Sequence, residues 1–174
     1  TVSSGSNQNG GAAFFFIATA TMQLSVSRTV LSNNIGVFDQ TISSSSSSGS
    51  NYNGGGGLYA LATGLVQATF ESVVATENSI SAQDAAAHTK CVNGGGAVYL
   101  NSISSTLNAF ISDMTAVNNA AYCDGSASPM LQTNVQGGGA LYMYAGGDMD
   151  VSIARSTYQN NSVSSSNMYA VSSN

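Results

Sequence analysis

A glycine-rich motif recurs four times in this 174-residue chain and constrains its fold more than any other feature. Each copy joins a run of glycines to a short apolar segment that contains an aromatic residue. The copies read NGGAAFF from Asn9, GGGGLYA from Gly54, GGGAVYL from Gly94 and GGGALYM from Gly137. A period of this length indicates a repeat architecture, in which each unit buries its apolar face only against its neighbours.

The aromatic residues give the spacing of the copies. Aligned on Phe14, Tyr59, Tyr99 and Tyr142, successive copies lie 45, 40 and 43 residues apart. Seven or eight residues after each aromatic residue, apolar and polar residues alternate, as in MQLSV from Met22, VQATF from Val66, LNAFI from Leu107 and MDVSI from Met149. Alternation with period two is typical of a half-buried β-strand. The large differences in repeat length fall in the polar segments before the glycines.

An asparagine follows each aromatic residue at a distance of 19 or 20 residues, at Asn34, Asn78, Asn119 and Asn161. If the repeats stack, these amides form a ladder in which each side chain bonds to its neighbours and to the backbone of the corner. The glycines predict a second corner, where the chain needs positive φ or a close approach of backbones. The corner glycines are Gly55, Gly56, Gly95, Gly96, Gly138 and Gly139.

These features predict an all-β parallel solenoid. We expect one domain over residues 1–174 with about four coils, near 9–52, 53–92, 93–135 and 136–174, and three short strands per coil. Coils stacked about 4.8 Å apart would share one continuous core.

The glycine half of the repeat resembles a known family. GGAVY at 95–99 and GGALY at 138–142 are similar to the GGA[ILV]Y motif of polymorphic outer membrane proteins, which also occurs in secreted algal and microbial proteins with a pectin-lyase-like β-helix. The phenylalanine of that family's F-x-x-N half is replaced by Leu31, Ala75, Ala116 and Tyr158. The resemblance implies a right-handed parallel β-helix. It also implies adhesion, surface display or a structural role, and no single chemistry.

Charge is scarce in this chain. Only 6% of the residues are charged, against about 25% in an average globular protein. A formal net charge of −5 argues against nucleic acid as a partner, and no window reaches the roughly 20 apolar residues of a membrane span. A surface of Ser, Thr, Asn and Gly predicts an extracellular protein, secreted or on the cell surface. There Cys91 and Cys123 are predicted to form a disulfide, with two buried thiols as the alternative.

Three aspartates fall 25 residues after the aromatic positions, at Asp39, Asp84 and Asp124. In stacked coils their carboxylates would lie within about 5 to 10 Å of one another, which invites a cation. Calcium is the candidate, since it takes oxygen ligands. The alternative is that these are solvated residues of turns, where aspartate is common. No other cofactor is predicted.

A polysaccharide lyase is the enzymatic alternative. Asp148 and Asp150 share one face of a predicted strand, because side chains alternate along it, and Arg155 would supply the base. Arg155 is an odd number of residues from both aspartates, so a regular strand would place it on the opposite face. It could join them only if a turn or a bulge intervened. A solvated outer face explains the same residues. His88 lies in the variable segment Ser81–Lys90, which is predicted to form a short surface helix capped by Ser81, and is a weaker candidate for a metal ligand or an acid–base residue.

The sequence predicts sites where sugars could be attached. Asn160-Asn161-Ser162 is an N-glycosylation sequon, and Asn160 can carry a glycan if it points outward while Asn161 serves the ladder. The serine run 43–48 is an O-glycosylation or flexible segment. Polysaccharide is also a candidate partner. Ice binding is disfavoured because the outward positions do not form a threonine grid; they are Gln23, Gln67, Asn108 and Asp150.

Most solenoids are closed by a polar or helical cap, and the sequence predicts no such cap at either end of these 174 residues. The first residues, TVSSGSNQ, read as the tail of a preceding coil, and the last, NMYAVSSN, read as the start of another. We therefore expect copies to stack head to tail into a filament, in an interface that need not close. The alternative is one slice of a longer solenoid.

The expected function is that of a non-enzymatic extracellular structural protein, the subunit of a filament or surface fibre. The alternatives are a pectin-lyase-type enzyme acting on carbohydrate and the passenger domain of a surface adhesin. An adhesin would bind through the tyrosine-rich strand at Tyr142 and Tyr144.

Overall fold

The computed structural model describes residues 8–10, 13–40, 50–84, 90–125 and 135–165. Within these residues all regular secondary structure is β-strand, and twenty strands form five sheets of four. The predicted all-β class is confirmed. No helix in these ranges is long and apolar enough to cross a membrane.

Four successive segments of the chain each contribute five strands. The first contains β1 Gln8–Gly10, β2 Phe14–Ala18, β3 Met22–Ser27, β4 Val30–Ser32 and β5 Ile35–Gln40. The second contains β6 Ser50–Gly54, β7 Leu58–Ala62, β8 Val66–Glu71, β9 Val74–Thr76 and β10 Ser79–Asp84. The third contains β11 Lys90–Gly94, β12 Val98–Ser102, β13 Leu107–Ser112, β14 Thr115–Val117 and β15 Ala120–Gly125. The fourth contains β16 Val135–Gly137, β17 Leu141–Ala145, β18 Met149–Ala154, β19 Thr157–Gln159 and β20 Ser162–Ser165.

Every sheet takes one strand from each segment, in chain order and with parallel pairing. One sheet, for example, runs β2-β7-β12-β17, and the next runs β3-β8-β13-β18. This stacking fits a parallel β-solenoid. The expectation of three strands per repeat is wrong, because each segment has five. The strands of the β4 sheet could not be predicted from the sequence, because three residues are too few for an alternation of apolar and polar residues to be recognised. The short helix predicted from Ser81 is also wrong, because Ser81 lies in β10.

The aromatic alignment needs one correction. Tyr59 pairs with Phe15 and not with Phe14, which pairs with Leu58. Three consecutive phenylalanines made this position ambiguous in the sequence. Phe15, Tyr59, Tyr99 and Tyr142 form a continuous stack, with ring centroids 5.0, 4.8 and 4.9 Å apart along the series. The spacing of the rings equals the usual spacing of strands, so the backbone ladder determines the stack.

The sheet of β2, β7, β12 and β17 separates two apolar clusters. The larger contains the alternate, inward residues of the neighbouring strands, such as Val66, Ala68 and Phe70 of β8. The smaller contains Tyr59, Leu61 and Tyr99, with Tyr142 packed against it. All five residues of β7 and of β12 are consequently buried. These two strands are therefore covered on both faces, which suits the continuous apolar run LYALA of β7. In β12 the polar residues Asn101 and Ser102 are buried as well.

Successive positions of the glycine run require glycine for different reasons, which are a left-handed backbone conformation or a lack of space for a side chain. Gly55 has φ of 63°, a left-handed conformation that favours glycine. A Cβ on Gly54 would overlap the ring of Tyr99 in the next repeat. A Cβ on Gly56 would lie 2.7 Å from the backbone N of Ser79, the residue after the ladder asparagine. The glycine corner and the asparagine corner are therefore in direct backbone contact.

The same arrangement recurs in the other repeats. Gly95 and Gly138 have φ of 60° and 57°. A Cβ on Gly96 would meet the backbone N of Ala120, and one on Gly139 would meet that of Ser162. The contact between the corners is thus a column that runs through the molecule.

The contact between the corners yields a matched pair of substitutions. Gly56→Ala should destabilise the fold by about 1–3 kcal/mol or more, because the backbone of β10 must move to admit the methyl group. Gly57→Ala should change stability far less, because Ala97 occupies the equivalent position in the next repeat, as the backbone bond from Gly57 N to Ala97 O indicates. Urea unfolding of both variants measures the difference. Equal losses for the two would contradict the proposed cause.

Candidate functional site

The four asparagines predicted as a ladder lie one above another. Asn78 donates from Nδ2 to Oδ1 of Asn119 at 2.9 Å and to the backbone O of Leu31 at 2.8 Å. Its backbone N–H also donates to Oδ1 of Asn119, at 3.1 Å. Asn119 repeats these bonds toward Asn161 and Ala75. Asn78 and Asn119 are completely buried. Their amides are fully engaged, so their burial does not leave the unpaired polar groups that destabilise a core.

The ladder has a direction. In the two middle asparagines, Asn78 and Asn119, Nδ2 donates both to Oδ1 of the following asparagine and to a carbonyl of the preceding repeat. At one end, Asn34 donates to Asn78 Oδ1 at 2.7 Å, and no described residue donates to its own Oδ1. At the other end, Asn161 Nδ2 donates to Ala116 O, and no described residue supplies the second acceptor. One end therefore offers an acceptor and the other a donor.

Left-handed residues precede the ladder in every repeat, which the sequence reasoning missed. Asn33, Glu77, Asn118 and Asn160 all have φ between 51° and 56°. A second left-handed column lies between the strands of the β3 and β4 sheets and contains Arg28, Ser72, Asp113 and Arg155. The pair Asn-Asn in three of the four repeats was the available signal, because asparagine adopts this conformation more readily than most residues.

Glu77 is the poorest residue of its column for this backbone. Glu77→Asn should stabilise the fold by roughly 0.5–1 kcal/mol, because asparagine adopts left-handed φ at lower cost. Glu77→Ala is the control, since it removes the charge and retains an unfavourable side chain. Thermal or urea unfolding compares the three proteins. The explanation fails if alanine stabilises as much as asparagine.

Apolar side chains are exposed in the first and last repeats, at positions that are buried in the middle. Phe14 and Ile17 are 43% and 52% exposed, whereas Leu58 and Leu61, their partners in β7, are at most 2% exposed. At the other end, Ile153 is 48% exposed and its partner Ile111 is fully buried. The edges of both terminal repeats thus present core-type positions to solvent.

A groove of about 560 Å³ lies on the outer face of the sheet formed by β3, β8, β13 and β18. Two columns of outward side chains line it. The first column is Gln23, Gln67, Asn108 and Asp150, and the second is Ser25, Thr69, Phe110 and Ser152. Gln23 Nε2 donates to Gln67 Oε1 at 3.0 Å. The groove offers amides, hydroxyls, one carboxylate and one aromatic ring.

The residues predicted for lyase chemistry are not brought together. Arg155 donates from Nε and Nη2 to the two carboxylate oxygens of Asp113, each at 2.7 Å. Asp150 lines the groove, whereas Asp148 precedes β18. Among the described residues, no group of three or more His, Cys, Asp or Glu side chains is placed to hold a metal ion.

The predicted aspartate column is wrong for one of its members. Asp39 and Asp124 both pair with Gln83, whereas Asp84 pairs with Gln40 and Gly125. In the backbone register, Asp84 is therefore one position away from the position that Asp39 and Asp124 share. The side chains of all three lie outside the described residues.

Several other predicted positions are only partly described. Cys91 lies in β11 and Cys123 in β15, and their side chains are outside the described set. His88 and the serine run 43–48 lie outside it entirely. Asn160 is exposed at the corner, while its neighbour Asn161 serves the ladder. The disulfide and the glycan remain predictions.

The hydrogen bond from Arg155 is the main cause that lowers the pKa of Asp113. The stability that this pair contributes is therefore present above the unfolded pKa of Asp113 and is lost as the pH falls through its folded pKa. Both side chains are well exposed, so the contribution is small.

A titration tests this ion pair directly. Arg155→Gln should raise the pKa of Asp113 toward its ordinary value, which NMR of the Asp113 carboxyl carbon measures. Arg28→Gln is the control, because no hydrogen bond joins Arg28 to Asp113. An Asp113 pKa that is identical in the Arg155 variant and the wild type would contradict the assignment.

Comparison with known proteins adds no further constraint. No family model, no curated protein and no solved structure matches the chain.

Proposed function

We propose that this chain is a non-enzymatic extracellular structural protein, the subunit of a filament or surface fibre that assembles by end-to-end stacking. In this proposal the sheets belong to a right-handed β-helix of about four coils, as the resemblance to polymorphic outer membrane protein repeats implies. The partner is a second copy of the chain, placed head to tail.

The direction of the asparagine ladder is the observation that carries this proposal. Stacked head to tail, Asn161 Nδ2 of one copy would meet Asn34 Oδ1 of the next, which continues the pattern seen between Asn78 and Asn119. Head-to-head stacking would place two acceptors against each other. Every sheet is parallel, so the same placement also continues the backbone pairing, for example from β17 to β2.

Burial of apolar surface favours the same placement. Phe15 and Tyr142 are the first and last rings of the described stack, so copies stacked in register would place these two rings at neighbouring positions of one column. The exposed side chains of β2 and β18 would become covered in the way that their equivalents in β7 and β13 are. Full burial of one such side chain contributes about 1.5–3 kcal/mol.

One column of residues disfavours the head-to-tail contact between copies. Arg28 and Arg155 occupy equivalent turn positions in the first and last repeats, so head-to-tail copies would bring two guanidinium groups close together. Arg155 is already paired with Asp113, which reduces the repulsion. Added salt screens exposed charges, and assembly should therefore strengthen as the salt concentration rises.

The extracellular location and the modifications belong to the same proposal. Low charge and a hydroxyl-rich surface support secretion. We propose a disulfide between Cys91 and Cys123, because their strands β11 and β15 contact each other. Asn160, exposed at the corner, is the proposed glycan site.

A charge placed at the joint should block assembly. Ile153→Asp should keep the protein small because the carboxylate would be buried between copies, whereas the wild type should grow with concentration. Val74→Asp is the matched control, since Val74 is an exposed apolar residue of a middle repeat. Light scattering and electron microscopy measure particle size. A wild type that stays monomeric at every salt and protein concentration would overturn the proposal.

A variant that strengthens the contact between copies provides a complementary test. Arg28→Glu should lower the protein concentration at which assembly begins, because the new carboxylate would face Arg155 of the adjoining copy. Arg28→Gln removes the repulsion alone and should have an intermediate effect. Assembly that is unchanged or weaker in the glutamate variant would exclude the proposed register.

A further inference from the structure

We propose that the outer groove of the β3-β8-β13-β18 sheet binds a neutral, hydroxyl-rich polysaccharide chain without cleaving it. This inference is independent of end-to-end assembly, because the groove lies on the outer face of a sheet and is complete within one copy.

The repetition of the groove suits a polymer. Its two columns place side chains at equivalent positions on four adjacent strands, about 4.8 Å apart. A ligand that extends along the stacking direction therefore meets an amide or hydroxyl group at each step. Gln23, Gln67 and Asn108 can each donate and accept hydrogen bonds, which matches a sugar hydroxyl that does both.

The charge of the groove determines the class of sugar. Of the described residues that line the groove, Asp150 alone is ionisable, and none is a lysine or an arginine. An acidic polysaccharide or a nucleic acid would find no cation to pair with and would approach a carboxylate. A neutral chain meets no such penalty, and Asp150 can accept hydrogen bonds from its hydroxyls.

Phe110 is the feature that a structural role does not explain. Its ring is 48% exposed in the middle of the groove, whereas Thr69 and Ser152, its neighbours in the column, are polar. An aromatic face among a few hydrogen-bonding groups is the composition of a ligand site. The apolar C–H face of a sugar ring can cover the phenylalanine while its hydroxyls reach the amide column.

A protein partner fits this surface less well. Apart from Phe110, the outward residues of both columns are polar, and protein interfaces depend on buried apolar anchors in their centre. The ends of the stack, and not this groove, expose apolar residues in the quantity that such an interface needs.

The test uses soluble oligosaccharides of cellulose, chitin, mannan and β-1,3-glucan, with oligogalacturonate as the acidic probe. Titrations followed by NMR use the full chain carrying Ile153→Asp, so that assembly does not interfere with the measurement. We expect one or more neutral oligosaccharides to bind, with shift changes at the backbone amides of β8 and β13 and little dependence on salt.

Variants separate the site from the fold. Phe110→Ala and Gln67→Ala should each weaken binding, the first by about tenfold or more, equivalent to roughly 1.4 kcal/mol. Val74→Ala, an exposed apolar truncation on the neighbouring sheet, should bind like the parent. If Phe110→Ala does not fold, Phe110→Thr replaces it, because Thr69 holds the equivalent position in β8.

The outcomes that overturn the proposal are equally specific. They are the absence of binding by every neutral oligosaccharide, tighter binding of oligogalacturonate, or unchanged affinity in folded Phe110 variants. None of these results bears on assembly, which the Ile153 and Arg28 variants test separately.

Discussion

The structure depends on pairing each backbone segment with its equivalent in the next repeat, through the turns as well as the strands. The N–H of Arg28 donates to Glu71 O and that of Asn33 to Thr76 O, so the ladder of bonds continues where the chain changes direction. Because of this alignment, equivalent residues of the four repeats lie one above another and form a column. Whatever side chain a position carries must fit against the same position one strand spacing above and below it.

Three columns show how this constraint selects residues. Flat rings suit the column of Phe15 because their stacking distance equals the strand spacing. Asparagine suits the ladder because its amide both donates and accepts, so identical side chains satisfy one another. Glycine suits the corner at Gly56 because the opposite corner's backbone occupies the space of a side chain.

The same constraint explains what could be predicted from the sequence. Columns of one chemical type, such as the asparagines, leave a periodic signal that survives variation in loop length. The parallel stacking and the alternating strands of β3 and its equivalents followed from that signal. The strands of the β4 sheet did not, since three residues contain too little pattern. The left-handed column of Arg28, Ser72, Asp113 and Arg155 was missed because these residues share a backbone conformation and no chemistry.

Counting residues from the aromatic position gave the wrong register in two situations. In one a residue had been added between the aromatic position and the next strand, and in the other the aromatic position itself was ambiguous. Tyr99 precedes Leu107 by eight residues, but Tyr59 precedes Val66 by seven, although Leu107 and Val66 pair. Asp84 and Asp124 therefore share a distance from their tyrosines and not a register. The choice of Phe14 in place of Phe15 shifted Asp39 by one residue in the same way. Pairing through the backbone, and not distance along the chain, decides which side chains stack.

The two proposals have a physical connection that follows from the columns. If copies stack in register, the column that ends at Asp150 in one copy would continue at Gln23 in the next, and the groove would run along the filament without interruption. A long polysaccharide could then bind many copies at once, and weak binding at each copy would add up to tight binding through effective concentration. Binding along the groove would in turn hold neighbouring copies together. A fibre of this kind would need neither a strong joint nor a deep binding pocket, because each weak contact would be repeated along its length.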